Sequence, residues 1–136
     1  MLTIFLGKGC ASQKDLKEAT LEYTANTRGF YQKVTIQNQE MFVSKDRNAT
    51  ANGTKTRLSD QDWNELVAAF SGMDLDQLPK FKAPSEKRFY DGAAIAKLKV
   101  TYQGKVYESV DFDHGTPPKE IETLVNKVVA LAKEKE

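Results

Sequence analysis

The hydrophobic residues of this chain switch period along its length, and the switching restricts the folds open to it. Between Ala19 and Val43 apolar side chains recur at alternate positions: Leu21, Tyr23 and Ala25, then Phe30, Val34 and Ile36 with a polar break at Gln32, where β-branched and aromatic content carries the strand, then Met41 and Val43. That period puts one face of each strand in a core. From Ser59 the spacing changes, and Trp63, Leu66, Val67 and Phe70 fall at i, i+3, i+4 and i+7, the apolar stripe of an amphipathic helix. Alternation returns in Ala94, Ala96, Leu98, Val100 and Tyr102, and helical spacing in Ile121, Leu124, Val125, Val128 and Leu131. Runs of strands interrupted by single helices specify an α+β fold. The expected architecture is an antiparallel sheet of about five to six strands, packed on one side by two helices in the order ββββ-α-ββ-α.

Turn chemistry supplies the boundaries. Gly29 closes a turn from Asn26, Gln37 to Gln39 form a second, and Gln103-Gly104 folds the strand 94–102 onto a partner from Lys105 to Phe112. Asn52-Gly53 is a hairpin signal leading into a short fourth strand, Thr54 to Leu58. The first helix opens on Ser59, with Asp62 at the capping-box spacing, and Gly72 is expected to end it in a left-handed conformation. Asp74 to Leu78 reads as one helical turn stopped by Pro79. Thr116 is expected to cap the second helix, with Pro117 in its first position. Residues 79–92 (PKFKAPSEKRFYDG) form a long, basic and aromatic connection without a period, the kind of loop that often carries function.

At 136 residues the chain suffices for one core. A net charge of +1 is too small to steer the whole molecule to nucleic acid or an anionic membrane. Charge is uneven, however: Arg28 to Arg57 holds six basic residues against two acidic ones, while Leu58 to Leu78 holds five acids and no Lys or Arg. Acids near helix N-termini suit the macrodipole; the competing reading is an acidic partner-binding surface. The sequons at Asn48 and Asn52 matter only in a eukaryotic secretory route and are discounted.

One cysteine, Cys10, excludes an internal disulfide framework and a Cys-based zinc site. It follows the apolar run Leu2 to Leu6 and Gly7-Lys8-Gly9, and precedes a polar stretch, residues 11–18. That order resembles the end of a bacterial lipoprotein signal, with Cys10 as the lipid attachment site; Gly9 fits the pattern and Lys8 departs from it. Residues 1–18 then form leader and linker, and residues 19–136 the domain. The competing reading makes Leu2 to Leu6 a first strand and Cys10 a small buried hydrophobe.

Catalytic signatures are sparse. His114 is the only histidine, and no Gly-X-Ser-X-Gly elbow, phosphate loop or dinucleotide fingerprint is present. Asp111, Asp113 and His114 loosely resemble metal ligands, but an Asp/His cluster beside a turn is more simply turn chemistry bonding local backbone. No cofactor and no metal are expected. The most site-like segment is Arg88-Phe89-Tyr90-Asp91, where an Arg, two aromatics and an Asp in a loop can read a carboxylate or a peptide. Arg28 and Tyr31, flanking the first turn, share that character. The competing reading has Phe89 and Tyr90 tucked over the sheet edge while Asp91-Gly92 turns the chain.

The layout, carried by Arg28-Gly29-X-Tyr31, Leu58-Ser59, Trp63, Asp91-Gly92-Ala93, Gly104-Lys105 and Pro117-Pro118, resembles small exported bacterial proteins of Bacteroidetes type that form a domain-of-unknown-function family. The resemblance spans about residues 20–132 and implies an envelope location without assigning an activity. The leading expectation is a non-enzymatic envelope lipoprotein, anchored in the outer membrane through Cys10, whose domain binds a protein partner or serves as an accessory subunit. The alternative is a free small-ligand or inhibitor-like domain with a pocket lined by Tyr31, Arg88, Phe89 and Tyr90. A small hydrolase or metal enzyme using His114 is the remote third.

Overall fold

A computed structural model describes residues 16–45, 54–90 and 92–134. Cys10, Asp91, the Leu2 to Leu6 run, both sequons and Asn52-Gly53 lie outside these residues. The described chain is α+β, as the periodicity implies. Strands β1 (Ala19–Thr27), β2 (Phe30–Gln37), β3 (Glu40–Ser44) and β4 (Thr54–Arg57) lead into helix α1 (Asp60–Ser71). After a long connection come β5 (Ile95–Tyr102), β6 (Lys105–Glu108), β7 (Phe112–Asp113) and helix α2 (Glu122–Glu134). All pairings are antiparallel, in the order β4-β3-β2-β1-β5-β6, with β7 sharing the β6 side of β5.

Register puts the alternating apolar residues on one face. Leu21 lies between Ile36 and Val100, Tyr23 between Val34 and Leu98, and Ala25 between Gln32 and Ala96. Trp63, Leu66 and Phe70 of α1 and Leu124, Val125, Val128 and Leu131 of α2 close over that face. Burying each Leu, Val or Phe of this kind is worth about 1.5–3 kcal/mol. The opposite face carries Thr20, Glu22, Thr24, Lys33, Thr35, Lys97, Lys99 and Thr101, half-buried and without a covering layer among the described residues. The β2–β3 turn uses positive φ at both Asn38 (55°) and Gln39 (66°), the two-residue hairpin that matches strand twist. Gln39 is held there by its Nε2 donating to Leu58 C=O at 2.8 Å and to Asp60 Oδ1 at 2.8 Å.

Five expectations need correction. The linker expected through residue 18 stops earlier, because Leu16 opens a 3-10 turn (Leu16–Glu18) and is fully buried in the core. Gly72 is right-handed (φ −83°, ψ −2°); its N–H reaches Phe70 C=O in a tightened last turn, so no left-handed cap is needed. Pro79 does not stop the turn after Asp74 but sits inside it, within the 3-10 segment Leu75–Lys80. Thr116 bridges Asp113 instead of capping, and Pro118 precedes a 3-10 turn, Lys119–Ile121, from which α2 grows. The strand expected from Lys105 to Phe112 is broken between β6 and β7, and Ser109 is the reason. Its N–H donates to Leu98 C=O at 2.9 Å, but Leu98 N–H donates to Ser109 Oγ at 2.9 Å rather than to a carbonyl. The hydroxyl donates onward to Val110 C=O at 2.9 Å. A side chain thus takes a ladder position, and Val110 and Asp111 are pushed out to solvent. No helix among the described residues is long and apolar enough to cross a membrane.

Candidate partner-binding surface

The connection between α1 and β5 is organised by one carboxylate. Asp113, at the end of β7, is 1% exposed. Its Oδ2 accepts from Ser85 Oγ and from Lys87 N–H at 2.8 Å; its Oδ1 accepts from Arg88 N–H at 2.9 Å and Arg88 Nη1 at 3.2 Å. Arg88 Nη1 also donates to Ser85 C=O at 2.8 Å. Burial alone would raise this carboxyl. The Ser85 hydroxyl, the Arg88 and Lys87 N–H groups and the Arg88 guanidinium outweigh it and hold Asp113 at about 2. An ionised buried carboxylate with four donors is a strong tether, and it fixes residues 85–88 against the end of the sheet.

What the tether displays is aromatic. The 3-10 turn Lys87–Tyr90 carries Phe89, 70% exposed, and Tyr90, 72% exposed. The Arg88 guanidinium, already immobilised by Asp113, lies 4.4 Å from the centre of the Phe89 ring. Gly92 N–H donates to Lys87 C=O at 2.7 Å and closes the turn behind them. A Cβ at Gly92 would lie 3.1 Å from Lys87 Cβ, Lys87 O and Tyr90 Cε1, so any larger residue there would make the turn give by a few tenths of an ångström. Beside the turn lies a groove of about 410 Å³, lined by Lys80, Phe81, Lys82, Ala83, Glu86, Arg88, Phe89, Val110 and Asp111.

The residues singled out from sequence therefore separate into distinct roles. Arg88 is a structural arginine, its side chain committed to Asp113 and Ser85. Phe89 and Tyr90 are not tucked over the sheet edge; they project outward. Tyr31 is half-buried on the uncovered face of the sheet, and Arg28 is exposed at the β1–β2 tip. Pairing of Tyr31 with Asn26, Asn26 with Ile95 and Ile95 with Asp113 places all of them at one end of the sheet. Tyr31 and Tyr90 do not line the groove, so the four-residue pocket of the small-ligand reading does not assemble there.

Asp111, Asp113 and His114 diverge. Asp111 meets Lys97 at 3.6 Å, Asp113 faces residues 85–88, and His114 Nδ1 lies 2.8 Å from the hydroxyl of the buried Tyr23. Their bonds are long-range, not the local turn chemistry expected. No group of three or more His, Cys, Asp or Glu side chains suited to a metal occurs among the described residues. His114 packs against the rings of Tyr23 (5.8 Å) and Phe30 (5.9 Å), and burial lowers its pKa, favouring the neutral ring. Burial also raises Tyr23, so its hydroxyl stays protonated, and the tautomer of the neutral ring sets which of the two groups donates across the 2.8 Å contact. Sequence reasoning missed Asp113 and Ser109 as the organisers of the surface, because the partners of both are remote in sequence.

The fold and this surface define an α+β scaffold that holds an aromatic turn and a groove at one end of its sheet. No protein-family model matches the chain, and no curated protein matches it.

Proposed function

We propose that the protein is a non-enzymatic binding module that engages a protein partner through Phe89 and Tyr90, tethered in a bacterial envelope by a lipid on Cys10. The observation that carries the binding half is the pairing of 70% and 72% exposed aromatics with a turn immobilised by a buried carboxylate. Large aromatics are costly to leave in water and dominate interface energetics. Holding them rigid removes much of the ordering cost of association. The tether half is supported by the leader sequence ending at Cys10 and by the layout resemblance.

The test is crosslinking and mass spectrometry from native membranes with the wild-type chain and Phe89→Ala/Tyr90→Ala. Neither side chain belongs to the core, so the double variant keeps its thermal midpoint and loses the specific partner. The same partner recovered at the same yield by both chains refutes the binding reading. For the tether, Cys10→Ser is expected to move the protein out of the membrane fraction and abolish processing sensitive to globomycin; unchanged fractionation refutes it.

A further inference from the structure

β6 ends the strand order, and the turn before it dictates which of its main-chain groups face outward. Gln103 and Gly104 both have positive φ (52° and 81°), the two-residue hairpin geometry. Such a turn makes its flanking pair, Tyr102 and Lys105, a hydrogen-bonded one. Bonded and non-bonded pairs alternate along an antiparallel ladder, so Tyr107 also bonds toward β5. Ser109 continues the series, with its N–H on Leu98 C=O. The N–H and C=O groups of Val106 and Glu108 therefore point away from the sheet, and they meet no main-chain partner among the described residues.

The edge is also open in space. A groove of about 640 Å³ lies between residues 105–108 and the 3-10 segment Leu75–Lys80, at Asp76 and Pro79. Val106 stands on the uncovered face of the sheet and is 52% exposed. Sheet edges are normally blunted by a lysine, a proline or a bulge. Here the Lys105 ammonium lies over the Tyr107 ring of its own strand at 5.2 Å, and the break at Ser109 comes only after both outward-facing residues.

Those two residues allow three two-fold registers of β6 against itself. Glu108 opposite Glu108 sets like charges face to face, which destabilises a strand pair. Val106 opposite Val106 leaves Glu108 facing Gly104 of the turn, which is not extended. Val106 opposite Glu108 pairs every outward group of both strands, with two hydrogen bonds in each pair. It also sets Tyr107 opposite Tyr107 at a non-bonded position, where cross-strand side chains approach closest, and Lys105 opposite the uncharged Ser109. We propose that β6 pairs antiparallel with β6 of a second copy of this chain in this last register, joining the two sheets into one. A contact built on a four-residue strand is far smaller than a standard interface, so the dimer is weak and concentration-dependent.

The experiment is sedimentation equilibrium of the full-length chain in reducing buffer, which keeps Cys10 from crosslinking, together with amide hydrogen exchange. The expected result is a dimer that grows in between about 10 μM and about 1 mM. Exchange at Val106 and Glu108 should slow at least about tenfold across that range, while Lys105 and Tyr107, already bonded to β5, change little. Val106→Lys, at an exposed position outside the core, is expected to remove both effects and keep the thermal midpoint. If that variant fails to fold, the exchange pattern of the wild-type chain decides alone. Phe89→Ala/Tyr90→Ala should dimerise as wild type does, which separates this contact from partner binding at the aromatic turn. A monomer throughout the range, a dimer in which Val106 and Glu108 exchange freely, or one that survives in folded Val106→Lys overturns the inference.

Discussion

Two polar clusters tie distant segments of this chain together, and they differ in the water available to them. On the helical layer, Lys127 of α2 bridges Asp62 at 2.9 Å and Glu65 at 2.6 Å on α1. At the sheet end, Asp113 collects Ser85, Lys87 and Arg88. The contact distances are similar. The side chains around Lys127 are 24–49% exposed, whereas Asp113 is 1% exposed and its Arg88 partner 10%. A group with access to water exchanges one set of hydrogen bonds for another when its partner is removed. A buried group has no such exchange, and the penalty falls on whatever is left unpaired. The difference implies that the sheet-end cluster is necessary to the candidate surface and the helical one is dispensable to it.

The largest expected effect breaks the buried cluster. Asp113→Ala leaves the Ser85 hydroxyl, two N–H groups and a guanidinium without their acceptor, and is expected to cost about 3–5 kcal/mol in urea unfolding. Asp113→Asn keeps the shape but turns an amide NH₂ or a neutral oxygen toward four donors, so it falls between wild type and Ala. Both variants should shift the amide signals of residues 85–90 well before global unfolding. A loss under about 1 kcal/mol for Ala erases the contrast drawn above.

Acid sharpens the same comparison. The folded carboxyl of Asp113 sits at about 2, below its ordinary value near 4. The unfolded chain thus takes up that proton first as pH falls. The contribution is complete above about pH 4 and is lost progressively as pH drops toward 2. Urea midpoints measured across that window should decline steeply for wild type and less steeply for Asp113→Asn.

Smaller effects come from the bonds that support the sheet end. Ser109→Ala leaves Leu98 N–H without its acceptor in a buried part of the ladder, at a cost of about 1–2 kcal/mol. Tyr23→Phe removes the hydroxyl that bonds His114 and should cost about 1 kcal/mol at neutral pH. Burial lowers the folded pKa of His114, so stability from the neutral ring is present above the ordinary histidine value and lost as pH falls below it. As the only histidine, its ring signal titrates without ambiguity. A midpoint at or above the ordinary value overturns the buried placement of His114.

Legibility in the sequence tracked the distance over which each signal acts. Alternation in 19–43 and the Trp63–Phe70 stripe are local, and both reappear as β1 to β3 and α1. Ser59 capping Asp62 N–H at 3.1 Å is equally local and was readable. The β6–β7 break was not, because a serine replacing a ladder acceptor has no pattern of its own. Nor was Asp113: its partners lie 25 to 28 residues away, and the same Asp-His dipeptide reads as turn chemistry in isolation. At the candidate surface, composition marked residues 79–92 as a place to look. It could not separate Arg88, which is consumed internally, from Phe89 and Tyr90, which are displayed.

The smallest effect tests the exposed half of the comparison. Lys127 holds two carboxylates and gains in the protonated state, mainly from its Glu65 and then its Asp62 hydrogen bond, so its pKa is raised. A group raised in the folded state contributes below its unfolded value and loses that contribution at high pH, beyond any ordinary assay. Near neutrality the bridge competes with water, with salt and with the entropy of a long side chain. Lys127→Met keeps most of the stem over the α1–α2 contact and removes only the ammonium. It is expected to change stability by less than about 1 kcal/mol, with the difference shrinking further in roughly 0.5 M salt. Amides of residues 85–90 should not move. A loss comparable with that of Asp113→Ala would mean that exposure does not separate the two clusters, and that the helical layer also supports the surface.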